Sequence, residues 1–174
     1  YRKYQIKILV CAVQREQDVH IPDGDFVMRT GDKLNMVASH LELERFFKAI
    51  GHISTRIKKV MIIGGGRLGY YLAKQLVSLK MQVKVIDKEY AKCEDLSEKL
   101  PEVTVIHGNA REHELLMEEG IQEADAFITV TGNDEENMLM ALYAKMQGVK
   151  KIVAKVNEEN LSSMVDSLGI DSVV

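Results

Sequence analysis

Three glycines and one acid are the residues whose types and spacing point to chemistry. Gly64-Gly65-Gly66-Arg67-Leu68-Gly69 places Gly-x-Gly-x-x-Gly directly after the apolar run Val60-Met61-Ile62-Ile63, and Asp87 closes a second apolar run 18 residues after the last glycine. Gly64 permits the tight turn from strand to helix, Gly66 lets the backbone approach a pyrophosphate, and Gly69 lets helix and strand pack closely. The helix that follows offers free N–H groups and a partial positive charge to phosphate, with Arg67 placed to bring its guanidinium to the same phosphates. Asp87 is expected to accept hydrogen bonds from ribose hydroxyls and to repel a 2′-phosphate, which favours NAD or an adenine nucleotide over NADP. Lys88 beside it weakens that exclusion, and Asp87 could instead merely cap the next helix. The bare glycine motif arises often by chance; with both strands, the helix and the acid in place it is a dinucleotide-binding fingerprint.

Two loops further along complete the candidate site. His107-Gly108-Asn109-Ala110 ends a strand where an adenine would lie, and Asn109 suits either a base edge or the cap of a helix starting near Arg111. His107 and His113 have no Cys, Asp or further His at ligand spacing, so no metal site is expected. In Thr131-Gly132-Asn133-Asp134-Glu135-Glu136-Asn137, Asn133 and Glu136 read as a capping box, and the acids suit a helix dipole better than a cation. The backbone of Thr131 and Gly132 would still line the nucleotide crevice. No nucleophile–base pair and no His, Lys or Tyr constellation for hydride transfer is visible, so binding without catalysis is expected.

The elements that must position these residues alternate from Lys59 onward. Strands are expected at Val60–Ile63, Gln82–Asp87, Val103–His107, Asp125–Thr131, Lys151–Val156 and Ser172–Val174. Helices are expected after the glycine turn, with a stripe of Leu68, Tyr71, Leu72, Leu76 and Leu79, and then at Tyr90–Leu100, Arg111–Glu119, Asp134–Gln147 and Glu158–Leu168. Such alternation predicts an α/β fold, a doubly wound parallel-sheet Rossmann domain over 59–174. Residues 1–51 read differently, as a small, incomplete β-rich α+β domain, with 52–58 a polar connector. Strands are expected at Ile6–Val13 and Leu34–Ala38, and the Asp23-Gly24 turn is expected to join strands on either side within Val19–Met28. Ser39 then caps a helix burying Leu43, Phe46, Phe47 and Ile50.

Composition narrows the function classes. A net charge of −3 without a basic stripe argues against a nucleic-acid partner. No run approaches the roughly 18 apolar residues of a membrane span, and no signal peptide is recognisable. Cys11 and Cys93 suggest neither a disulfide framework nor a metal motif and fit a reducing cytoplasm. The first residue is Tyr1 rather than Met, which suggests an excised piece.

From about Lys58 to Val174 the chain closely resembles the nucleotide-binding N-type domain of the family regulating the conductance of potassium, found in Trk and Ktr uptake systems. The residues that carry the resemblance are Ile62–Gly69, Val85-Ile86-Asp87, Gly108-Asn109-Ala110, Ile128–Asn137 and Val153-Ala154-Lys155-Val156. Ile21-Pro22-Asp23-Gly24-Asp25 and Thr30–Leu34 look like the end of the family's C-type regulatory domain, so the chain resembles a central slice of a tandem subunit. The resemblance implies a cytoplasmic protein, peripheral on the inner face of the cell membrane, whose binding of NAD or NADH, or of ATP and ADP, controls a potassium-translocating membrane subunit. It implies that Gly64, Gly65, Gly66, Arg67 and Leu68 hold the pyrophosphate, Asp87 the ribose, and Lys155, where the family often has Arg, the far end of the ligand. Thr131 and Gly132 would line the cleft, and a homo-oligomer is expected. The rival readings are an NAD-dependent oxidoreductase, which needs a substrate domain, and a redox-sensing transcriptional regulator, which needs a basic DNA-binding element.

Overall fold

A computed structural model describes residues 6–16, 18–51, 57–158, 161, 170 and 172–173. The chain divides into two units, Tyr1–Arg56 and Ile57–Val174.

In the first unit, β1 (Leu9–Arg15) is the middle strand of an antiparallel sheet, flanked by β2 (Asp18–His20) and β3 (Lys33–Val37). Val13 stands opposite both His20 and Leu34 and is fully buried. A strand expected after the Asp23-Gly24 turn does not form: Phe26 to Arg29 are loop. The reason is Arg15, whose guanidinium donates to the Val27 carbonyl and to both oxygens of Asp32 and so wraps this stretch around itself. Helix α1 (His40–Ala49) starts as expected, with Ser39 Oγ accepting from the Glu42 amide at 3.3 Å. Leu43, Phe46 and Phe47 are half-buried, whereas Ile50 closes the helix and is exposed.

The second unit is a six-stranded parallel sheet. In chain order its elements are β4 (Lys59–Ile63), α2 (Arg67–Ser78), β5 (Gln82–Asp87), α3 (Tyr90–Lys99), β6 (Thr104–His107), α4 (His113–Glu118), a 3-10 turn (Ile121–Glu123), β7 (Ala126–Thr129), α5 (Asp134–Met146), β8 (Lys151–Ala154) and β9 (Ser172–Val173). The spatial order is β6-β5-β4-β7-β8-β9, so the chain first builds outward from β4 and then returns to its other side. That reversal opens a crevice at the carboxyl ends of β4 and β7, the usual ligand position in this architecture. The doubly wound parallel sheet is therefore as expected. The helix expected at Glu158–Leu168 lies largely outside the described residues, apart from helical Leu161.

The near-continuous apolar strands follow from burial on both faces. Met61, Ile63, Ile86 and Phe127 pack on one side with Leu116 and with Met140, Ala141 and Ala144 of α5. Val60, Ile62, Val83 and Val85 pack on the other with Ala73 of α2 and Leu96 of α3. The buried stripe of α2 is rotated from the expected one: Gly69 and Ala73 are buried and Leu72 and Leu76 half-buried, while Leu68, Tyr71 and Leu79 are exposed. Gly69 sets this rotation. A Cβ there would stand 1.9 Å from the Gly64 carbonyl oxygen, so this face alone can approach the strand.

Candidate functional site

A cavity of about 320 Å³ opens at the carboxyl ends of β4 to β7. Its floor is the turn after β4. The Gly64 amide donates to the Ile86 carbonyl at 2.9 Å, and Gly64 takes φ +109°, where an L side chain is strained. A Cβ at Gly64 would also lie 3.0 Å from the Val130 backbone, so the turn is confined between the ends of two strands. Gly66 is the N-cap of α2 and no side chain caps this helix, which leaves its first-turn N–H groups to serve a ligand.

Asp87 stands at the end of β5 and is tied on both sides. Its Oδ2 accepts from the Gly65 amide at 2.6 Å and its Oδ1 from the Glu89 amide at 2.8 Å. The carboxylate thus joins the glycine turn to the approach to α3 and stands in the cavity wall; it does not cap that helix, whose N-cap is Glu89 with no side-chain cap. A carboxylate has roughly four acceptor positions, so two remain for hydroxyls. Behind it, the buried Cys93 thiol donates to the Asp87 carbonyl at 3.3 Å, and burial raises its pKa, which keeps it an unreactive thiol.

The wall formed after β6 contains Lys88, Gly108, Asn109 and Ala110. Asn109 Oδ1 accepts from the Arg111 amide at 3.2 Å, which fixes the turn while the residue still lines the cavity. Helix α4 itself begins later than expected, at His113. The opposite wall is Val130, Thr131, Gly132 and Asn133. Here Asn133 Oδ1 caps α5 by accepting from the Glu136 amide at 2.6 Å. The reciprocal half of the capping box is absent, because the Asn133 amide donates to Thr131 Oγ1 and Glu136 lines the cavity.

Of the sequence candidates, Gly64, Gly66, Asp87, Lys88, Asn109, Ala110, Thr131 and Gly132 come together around one cavity. Gly65 and Gly69 lie just behind it, holding Asp87 and the strand–helix contact respectively. Arg67 and Leu68 are on the exposed side of the first turn of α2. Lys155 follows β8, with its amide donating to the Thr129 carbonyl at 2.8 Å, and is not in the cavity wall.

Several wall residues carry no recognisable motif. Lys92 is one: its ammonium meets the Glu89 carboxylate at 2.6 Å, a contact that raises its pKa. The only sequence signal for it is the spacing of Glu89 and Lys92 along α3. Asp134 is another surprise. Instead of facing solvent at a helix start it is 7% exposed, with Oδ2 accepting from the amides of Asn157 and Glu158 and Oδ1 from the Asn157 side chain. Burial pushes its pKa up, but those three hydrogen bonds and the nearby Lys155 charge outweigh it, leaving the pKa below the ordinary value. Among the described residues no cluster of His, Cys, Asp or Glu is placed to hold a metal ion. No helix among them is long and apolar enough to cross a membrane.

Sheet order, glycine turn and terminal carboxylate define a Rossmann-type domain. The chain belongs to the TrkA-N domain family, whose model matches residues 60–174. A Trk system potassium uptake protein TrkA homolog of Archaeoglobus fulgidus is 33% identical over 164 residues, covering 94% of this chain and 37% of the relative. The chain therefore spans little more than a third of that curated relative. Among solved structures, the GsuK channel bound to NAD shares the fold with a TM-score of 0.65 at 24% identity, over 96% of this chain and 29% of the other. GsuK bound to ADP has a TM-score of 0.58 at 28% identity, over 67% of this chain and 30% of the other.

Proposed function

We propose that this chain is a nucleotide-sensing regulatory part of a potassium uptake system, binding NAD or NADH, or ATP and ADP, in the crevice between β4 and β7. The observation that carries the proposal is the Asp87 bridge. One carboxylate fixes the glycine turn through Gly65 and faces the cavity, so ribose and phosphate subsites are built as one rigid piece. A volume of about 320 Å³ falls at the lower end of the range for small-molecule sites. The phosphates lie against Gly64, Gly66 and the start of α2, the ribose on Asp87, and the base between Asn109, Ala110 and Thr131. The relative described as potassium uptake protein and the 28%-identical GsuK structure described as bound to ADP support this assignment.

The role is regulatory. A ligand shifts a protein only through different affinities for its arrangements, and couplings of about 1–3 kcal/mol are typical. Nucleotide in this crevice would bias how copies of the domain assemble at the inner face of the membrane, and through that assembly a potassium-translocating pore. No observation favours hydride transfer or DNA binding over this reading.

Calorimetric titration with NAD, NADH, ATP and ADP tests it. Wild-type chain is expected to bind at least one selectively. Asp87→Ala removes charge-assisted hydrogen bonds and is expected to weaken binding by about tenfold to a hundredfold. Absence of binding to all four, or an unchanged affinity in the variant, overturns the proposal.

A further inference from the structure

Asn137 is a fully buried amide beside the cavity wall that nucleotide binding as described does not use. Its Oδ1 accepts from the amide of Thr131 at 3.0 Å and from the Thr131 hydroxyl at 2.8 Å. Its Nδ2 donates to the Thr131 carbonyl at 3.3 Å and to the Lys155 carbonyl at 2.9 Å. These contacts set the amide orientation, because a flipped group would turn a donor toward the Thr131 N–H. The Asn137 carbonyl in turn accepts from the buried Thr129 hydroxyl at 3.1 Å.

One side chain therefore grips two separate stretches of backbone: the cavity wall at Thr131 and the exit of β8 at Lys155. One helical turn earlier, Asp134 grips the same exit two residues further on, through the amides of Asn157 and Glu158. A buried, fully satisfied amide cannot release one partner without stranding polar groups away from water, so such networks move as units. The exit segment leads on toward Leu161 and Ile170, which pack in the same core as Met140 and Ala144.

We propose that Asn137 is a positioning residue that couples the Thr131 wall of the cavity to the 155–158 segment, so that nucleotide seated against Thr131 and Gly132 changes how firmly that segment is held. The coupling rests on the nucleotide binding proposed above. Asp134 is the second grip of the same device, acting on Asn157 and Glu158.

Amide hydrogen exchange of the full chain, with and without saturating ADP, reads the coupling directly, with calorimetry run on the same samples. In wild type, ADP is expected to slow exchange both around Gly64–Gly69 and across 155–158, the latter by about tenfold, within the usual range of allosteric couplings. Asn137→Asp keeps an oxygen toward the Thr131 donors and removes the donor to Lys155. Asp134→Ala cuts the second grip from the helix end and serves should the buried aspartate prevent folding. Both variants are expected to keep the ADP effect at Gly64–Gly69 and to lose the one at 155–158, with less than about twofold change remaining. A merely structural role would lower thermal stability and leave that ADP response intact; this outcome overturns the coupling. So does wild-type protection confined to the glycine turn while calorimetry shows ADP bound. Should calorimetry show that another of NAD, NADH and ATP binds and ADP does not, the exchange is read with that nucleotide by the same criteria; if wild type binds none of the four, nucleotide binding itself falls and the coupling with it.

Discussion

The unit from Ile57 to Val174 covers both faces of its sheet, and Ile62, Val85, Ile86 and Phe127 retain no exposure at all. In the unit Tyr1–Arg56, Val13 is the single fully buried hydrophobic side chain among the described residues, while Leu9, Val19, Ile21, Val27 and Val37 are all more than half exposed. The two units hold together by different means. The larger one is ordered by apolar packing on two sides, and removal of apolar surface from water is the main driving force of folding. The smaller has one covered sheet position and relies on a polar knot, Arg15 with Asp32, the Arg29 amide and the Val27 carbonyl. Small units bury a lower share of their surface and depend more on such local ties. A rigid, fully packed frame suits a site that must hold glycine backbone close to a ligand; the smaller unit offers no comparable frame.

The largest expected effect separates two glycines of one motif. In Gly69→Ala the new Cβ would meet the Gly64 carbonyl oxygen at 1.9 Å, and neither backbone can withdraw without opening the turn. Overpacking of this kind costs about 1–3 kcal/mol or more, so a marked fall in the melting temperature of the larger unit is expected. Gly66→Ala meets nothing within 4 Å and keeps an ordinary φ of −67°. Its stability should stay within about 0.5 kcal/mol of wild type, while the methyl group stands between backbone and phosphate and lowers nucleotide affinity by about tenfold. Thermal melts and calorimetry on the two variants check this. Equal losses of stability in both would break the distinction between a packing glycine and a ligand-facing one.

How much of this was legible in the sequence follows the same division. Strands β4, β5 and β7 stand out as apolar runs bounded by glycine and turn residues, because parallel strands covered on both faces need little polar alternation. The glycine turn and Asp87 were visible because their spacing is set by local chain geometry. The face of α2 was not: helical periodicity alone favoured Leu68 and Tyr71, and only the contact of Gly69 with Gly64 reveals which side turns inward. Asp134 and Asn137 likewise look like a helix start in sequence, whereas their partners, Asn157 and Lys155, lie on another strand exit. The loop at Phe26–Arg29 reads as a strand until Arg15, distant in sequence, takes the Val27 carbonyl.

A smaller effect tests the polar knot. Asp32 is nearly enclosed, and its carboxyl is held well below the usual carboxylate range, first by the hydrogen bonds from Arg15 and then by the Arg29 amide. Its pKa is thus lower folded than unfolded, where it is about 3.9. The stability it contributes is present above about pH 4 and is lost as pH falls below that toward the folded value. Asp32→Asn should therefore lower the melting temperature of the smaller unit at pH 7 and converge with wild type in strong acid. The nucleotide affinity of the larger unit should not change. A gap between variant and wild type that is the same at about pH 7 and about pH 2 would show that the knot is not electrostatic.

The smallest effect is expected where apolar surface is already in water. Ile21 is 86% exposed, so Ile21→Ser removes no burial and creates no cavity. Surface changes of this sort stay within about 0.5 kcal/mol, far below the roughly 2–5 kcal/mol of truncating a buried isoleucine. Melting of the chain at several concentrations measures it, and no shift is expected at any of them. A loss that grows with concentration would mean that Ile21 is covered when copies meet. The small unit would then complete its core through association, and the contrast between the two units would be one between a self-sufficient core and a shared one.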